Sequence, residues 1–319
     1  MGWFGQLFGH GEERAAPELL PAIERAVCAV DPLLKQSGGY PENYRKPVMA
    51  AWDYSRSLAA SVPGPVVINL ESYAKDTLVH ALFPSADFIT DAFGSSVALR
   101  DYHRKFPAAG ELYAMMGMRR FEKTTVGMEL SGEVIQRDVV QKVVYFTSHT
   151  IENPAPNEEQ ARDQAALSFF DSLVGKVKKR IGARRQDWQT LLHEKDSLVA
   201  RLRTADAEAR PALQEALARV MATIQTSAGS LELHSYLEDF EAVLLSPEQH
   251  LRLNQTPIVL DSMGIRREGN DTNRGEAVIF NELIGFDRRD WTVTMVHCSN
   301  LQSESFAARL DKAYRKLAL

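Results

Sequence analysis

The longest hydrophobic pattern in the chain is a heptad repeat that runs out, breaks and returns. Phe170, Val174, Val177, Ile181, Arg184, Trp188, Leu191, Lys195, Leu198, Leu202 and Ala205 are spaced alternately by four and three. Leu213, Leu217, Val220, Ile224, Ser227 and Leu231 resume that spacing. Such a seam is the signature of two helices packed as a coiled coil. It predicts a helical hairpin whose first arm covers 158–205, roughly 48 residues or about 70 Å long. The tip falls over 206–211, with Pro211 suited to the first turn of the returning helix. Gly229-Ser230 interrupts the return arm, and an apolar helix follows over 231–245.

Shorter patterns flank the hairpin. Leu20, Ile23, Val27, Val30 and Leu34 form a helical stripe over 17–34, with Cys28 beside it as a small buried residue. A second helix is expected over 43–62, stopped by Pro63-Gly64-Pro65. Val66 to Leu70 reads as a short strand or an extended connector. Helices then follow over 71–83 and from Pro84 to about 106, the latter capped by Ser85. From Gly110 the texture changes to β-branched and alternating residues. Three or four antiparallel strands are expected over 111–151, with a turn at Ser131-Gly132 and a stop at Asn153-Pro-Ala-Pro-Asn157. Strand patterns return over 257–260, 277–280 and 291–296, and a last helix covers 303–317.

Neither set of strands can bury a face alone, so both are expected to share one sheet. The predicted fold is therefore α+β: N-terminal helices and a mainly antiparallel sheet, with a long coiled-coil hairpin inserted between strands. In domain terms, 1–157 supply the helices and first strands, 158–230 the hairpin arm, and 231–319 the packing helix, remaining strands and terminal helix.

Composition narrows the classes. The apolar share is 45% and the charged share 25%, ordinary for a globular protein. A net charge of -5 and a pI near 6.0 disfavour a general nucleic-acid binder. Two cysteines are too few for a disulfide framework or a cysteine zinc site. No run is long enough to span a bilayer, and the first residues lack a signal-peptide pattern. A cytoplasmic location is expected. Trp3, Phe4, Leu7 and Phe8 suggest peripheral membrane contact as a secondary reading, weakened by the absence of a basic face.

Lys176, Lys178, Lys179, Arg180, Arg184 and Arg185 form a run with no acidic residue between Asp171 and Asp187. Together with Trp188 they are the candidate interaction residues. If all six cations met duplex phosphates, log affinity would fall with log salt at a slope of roughly -5. His149, Glu152 and His297 are the catalytic candidates, and His149 and Glu152 lie at a strand end. His297 and Cys298 are adjacent on a strand and point to opposite faces, so they cannot act as nucleophile and base. His80 reads as a partly buried helix histidine. Asp261 and Glu282 are a candidate carboxylate pair. No phosphate-loop, nucleophile-elbow or zinc-protease motif is present, and no cofactor or metal site is expected.

The leading reading is a non-enzymatic interaction or adaptor protein whose arm binds a protein partner or a second copy. Nucleic-acid or ribonucleoprotein association through the basic run is the first alternative. An enzyme with a site on the sheet is the second.

Overall fold

In the computed structural model the described residues are 16–107, 109–131, 134–227, 235–261, 263–267, 275–285 and 290–299. The fold is α+β, with a long helix inserted between strands of a mixed sheet. The chain divides into two compact units, one of residues 1–55 and 170–250, the other of 56–169 and 251–319.

The first unit is helical among its described residues. Helix α1 (Ala16–Val30) runs into a 3-10 turn (Pro32–Gln36), and α2 (Glu42–Ser61) follows. Ile23, Val27, Val30 and Leu34 are buried, as their spacing requires. Cys28, expected inside, is exposed. It lies one step round the helix from Val27, between the buried pairs Ala26-Val27 and Val30-Asp31, on the water side of the stripe. Tyr44 packs edge-on against Phe240, and Trp52 against Phe170. Phe240 lies on α9 (Tyr236–Leu244) and Phe170 on α7 (Glu158–Thr204).

Helix α7 is 47 residues long, about 70 Å at 1.5 Å per residue. Phe170, Val174, Val177 and Ile181 are fully buried. From residue 182 onward only one stripe of α7 is shielded: Arg184, Trp188, Leu191, Lys195, Leu198 and Leu202, with their neighbours Leu192 and Val199. Helix α8 (Arg210–Ser227) repeats this, shielding Leu213, Ala216, Leu217, Val220, Ile224 and Ser227 and exposing the rest. Asp206 opens α8 by accepting a bond from the Ala209 N–H at 2.8 Å. Leu231 and Leu233 lie outside the described residues.

The second unit is built on strands. They are β1 (Val66–Ile68), β2 (Glu111–Ser131), β3 (Val134–Ala155), β4 (Arg252–Leu260), β5 (Ile265–Arg267), β6 (Glu276–Ile284) and β7 (Asp290–Ser299). The order is β1-β7-β2-β3-β5-β4-β6, and β6 also pairs with β7. That last pairing closes β7, β2, β3, β5, β4 and β6 into a ring, while β1 adds to β7 in parallel. Ring closure pairs most of the edges that an open sheet must protect, leaving β1 and the outer parts of β2 and β3.

The three or four strands expected over 111–151 are two. Register shifts at Tyr113/Met115, Gly117/Arg119 and Gly127/Glu129 break the alternation without ending the pairing, as a bulge does. Asp138 and Ser148 adopt positive φ on the partner strand. The turn expected at Ser131-Gly132 is flanked by the Ser131–Val134 pair. β2 pairs with β7 only as far as Met118, and β3 with β5 only over Lys142–Val143. Beyond those points the two strands pair with each other as a ribbon that exposes Val126, Met128, Ile135 and Val140.

Met116, Met118, Val144, Phe146, Leu260 and Phe280 from the strands belong to one buried core cluster. They pack against Val79, Leu82, Ile89, Phe93 and Leu99 from α4 (Thr77–Leu82), α5 (Ala86–Ser95) and α6 (Val97–Lys105). The helix expected over 71–83 is two, α3 (Leu70–Lys75) and α4, because Asp76 turns extended and caps α4 through the Leu78 and Val79 N–H groups. Ser96 divides α5 from α6 in the same way. Ser85 caps α5 as its position predicts. Arg162, on the part of α7 in this unit, donates to the carbonyls of Ala59 and Val62 at 2.8 Å and of Gly64 at 3.2 Å. It thereby satisfies acceptors that the end of α2 leaves open. The strand expected at 66–70 is β1, and the helix expected over 303–317 lies outside the described residues.

Candidate functional site

The basic run on α7 is held by carboxylates of its own unit. Asp239, on α9, is buried. It accepts from Arg180 Nε at 3.1 Å and from Arg184 Nη2 in a shorter contact. Arg185 donates Nε–H to the Tyr236 hydroxyl at 3.0 Å and pairs through Nη2 with Asp31. The Arg184 and Arg185 guanidiniums also lie 5.6 and 5.2 Å from the Tyr236 ring centre, a cation–π arrangement. About one and a half turns of helix thus place three arginines against two acids and one aromatic ring. The partners are 51 to 154 residues away in sequence, so the run looked unbalanced when read along the chain.

The charges in this cluster are mutually set. Burial alone pushes the Asp31 carboxyl upward. Hydrogen bonds from Arg185 and the Leu33 N–H, with the Arg185 charge, outweigh it and hold the group below its ordinary value. Arg185 is raised by its bonds to Asp31 and Tyr236. Lys176 and Lys179 also have partners. Lys178 lies on the same helix, and Trp188 sits half-buried in the shielded stripe. Arg184, a charged residue at a heptad position, reaches Asp239 together with Arg180.

The histidine candidates do not converge. His149 is half-buried on β3, stacked on Phe83 and edge-on to Phe88, each with centres 5.0 Å away. Its Nε2–H donates to the Leu82 carbonyl at 2.8 Å, because a carbonyl can only accept. Nδ1 then carries a lone pair that is buried without a partner. Burial lowers its pKa, and the Leu82 bond opposes that shift. Glu152 is exposed and sits in register with Met115. His297, on β7 in register with Tyr113, stacks on that ring at 4.4 Å and lies 3.3 Å from Glu111 Oε2. About five residues of strand, roughly 16 Å, separate the rows of His149 and His297, and β2 lies between their strands.

Cys298 points to the opposite face from His297, into the core, where burial raises its thiol pKa. His80 is exposed and stacks on Tyr73 at 4.9 Å, on the outer side of a short helix. The carboxylate pair also fails to form. Asp261 binds Arg267 at 2.7 Å, and Glu282 binds Arg120 at 2.6 Å. β4 and β6 register Leu260 with Glu276 and Asn254 with Glu282, so Asp261 stands about seven residues along the ladder from Glu282, roughly 23 Å. Among the described residues no cluster of three or more His, Cys, Asp or Glu could hold a metal ion. Trp3, Phe4, Leu7 and Phe8 lie outside the described residues.

A cleft of about 550 Å³ opens beside β3, walled by Phe83, Phe88, Tyr145 and Met263. Sequence reading missed it, because it is assembled from α4, the α4–α5 link, β3 and the turn before β5. No family model, no curated protein and no solved structure matches this chain.

Proposed function

We propose that this protein is a non-enzymatic interaction or adaptor protein that works through the helical hairpin of α7 and α8. The observation that carries this reading is the shielding pattern beyond residue 181. One heptad stripe per helix is covered and every other position is exposed, which is how a two-helix rod differs from a helix buried in a core. Matched stripe positions support an antiparallel pairing. Leu198 with Val220, Leu202 with Leu217, Lys195 with Ile224 and Leu191 with Ser227 all share a midpoint near residue 209, between the helices.

A rod of this kind gains little from burial for its length, so its outer surface is the part available to a protein partner or a second copy. The arginines at its base are the anchor in this reading. Arg180, Arg184 and Arg185 are committed to Asp239, Asp31 and Tyr236, which withdraws them from phosphates and weakens the nucleic-acid reading. Scattered histidines likewise give an enzyme no centre. Two free cysteines accord with a reducing, cytoplasmic setting. Among the described residues, no helix is long and apolar enough to cross a membrane.

The test replaces 190–227 by a short Gly-Ser linker, which leaves Arg180, Arg184 and Arg185 in place. The shortened chain should keep the thermal transition of the sheet unit and lose both self-association in sedimentation velocity and capture of its partner from native lysate. A shortened chain that unfolds, or that keeps every associate of the full chain, overturns the proposal.

A further inference from the structure

One face of the β2–β3 pair carries rings and cations together. Side chains on a strand alternate between faces. Met116 and Met118 of β2 and Val144 and Phe146 of β3 belong to the core cluster, so Arg119, Phe121, Lys123 and Tyr145 stand on the opposite face. Phe121 is in register with Tyr145, and their rings stack with centres 5.6 Å apart at an angle of 20°. Phe121 is 36% exposed and Tyr145 42%. The Arg119 guanidinium lies 5.3 Å from the centre of the Phe121 ring, and Lys123, two residues beyond Phe121, is exposed. Half-buried Trp291 of β7 reaches the same face over Gly117, where a Cβ would stand 3.5 Å from its ring.

The charge on this face has no local counterpart. Among the described residues neither Arg119 nor Lys123 forms an ion pair, whereas Arg120, between them on the other face, binds Glu282 at 2.6 Å, and Arg266 binds Glu122 at 3.0 Å. The facing positions on β3, Val143, Tyr145 and Thr147, are uncharged. Arg119 and Lys123 stand four residues apart, roughly 14 Å along the strand, with Phe121 between them. Cations without carboxylates beside exposed rings suit a ligand that offers both phosphates and flat bases. Every base has a π-face, and stacking on an aromatic side chain tolerates any sequence. An acidic peptide would meet the cations and leave the rings without a flat partner, and a duplex keeps its base faces inside.

We propose that this face binds single-stranded nucleic acid, with bases stacked on Phe121 and Tyr145 and phosphates held by Arg119 and Lys123. The site lies in the sheet unit and uses neither the helical hairpin nor its basic run. The net charge of -5 repels a polyanion at long range, so stacking supplies most of the affinity.

The experiment titrates fluorescein-labelled oligouridylate and oligothymidylate with the full chain and follows anisotropy. Saturable binding of either single strand is expected, and the tighter of the two names RNA or DNA as the source. A duplex of equal length should bind about tenfold more weakly, the effect of one lost stacking contact. Two phosphate contacts on a single strand give a log–log salt slope of about -1.4, against roughly -5 for six cations on duplex. Phe121→Ala and Tyr145→Ala should each weaken binding about tenfold, and Phe121→Trp should restore it. Arg119→Gln and Lys123→Gln should each flatten the salt slope by about 0.7, while Lys178→Gln on α7 leaves it unchanged. Circular dichroism checks that each variant keeps the fold. Equal binding of the duplex, or no saturation at high micromolar protein, overturns the proposal. So does a Phe121→Ala chain that loses stability and keeps its affinity, since the ring pair would then be a brace of the sheet. Polyglutamate that binds the parent and the Phe121→Ala chain equally and displaces the strand would assign the face to an acidic protein partner instead.

Discussion

Replacing Asp239 by alanine strips two arginines of their shared acceptor. The Asp239 side chain is 6% exposed, Arg184 28% and Arg180 47%. Removing one partner of a fully buried ion pair costs about 3–5 kcal/mol, whereas an exposed pair is worth about 0–1 kcal/mol. Arg184 lies toward the first limit, with its Nε already buried and unpaired. Arg180 can recover water. The expected loss is about 2–3 kcal/mol. Asp239→Asn keeps the volume and removes the charge, and should cost within about 1 kcal/mol of the alanine variant. Tyr236→Phe removes only the hydroxyl that Arg185 bonds, and should cost about 1 kcal/mol. Urea unfolding followed by far-ultraviolet circular dichroism, with stability from linear extrapolation, gives all three numbers. An Asp239→Ala protein within about 0.5 kcal/mol of the parent would show that both arginines rehydrate freely and that the cluster does not anchor α7 to α9.

Arg162→Ala should destabilise the sheet unit by about 2–3 kcal/mol, because charge-assisted bonds to three carbonyls are lost; thermal melting checks this, and Arg162→Lys should not rescue it, since an ammonium lacks the planar fork. Asp31 is held below its ordinary value when folded, so its stabilisation is fully present above the unfolded value of about 3.9 and fades as pH falls through the folded one. Acid titration of Asp31→Asn should therefore show a shallower loss of stability below about pH 4, and an unchanged slope would contradict the Asp31–Arg185 pairing. Exposed Cys28 should react with a disulfide reagent in the native protein and buried Cys298 only after unfolding; two equivalents released at once from folded protein would refute the assigned burial.

Periodicity carried much of the architecture. The heptad run placed the far end of α7 to within a residue, because the shielded stripe keeps the same spacing up to Leu202. The α+β class and the shared sheet followed from strand patterns too sparse to stand alone. What stayed hidden depended on contacts remote in sequence or on very short elements. β5 has three residues and no alternation to read. The register shifts of β2 and β3 mimicked strand ends. The single-residue breaks at Asp76 and Ser96 look like helix interior until the caps are seen. Asp31 and Asp239 gave no sign that they balance the basic run. The half-burial of His149 depends on Phe83 and Phe88, which no spacing rule connects to it.

The closed ring is only as durable as its thinnest junction. Among the described residues, β5 touches β3 and β4 through two registered pairs each, while β2 and β3 share a ladder many times longer. A ladder that short has almost no cooperative reserve, so thermal fluctuation should unzip it long before the rest of the unit yields. The second unit would then behave as a hoop with a clasp, opening repeatedly at one place.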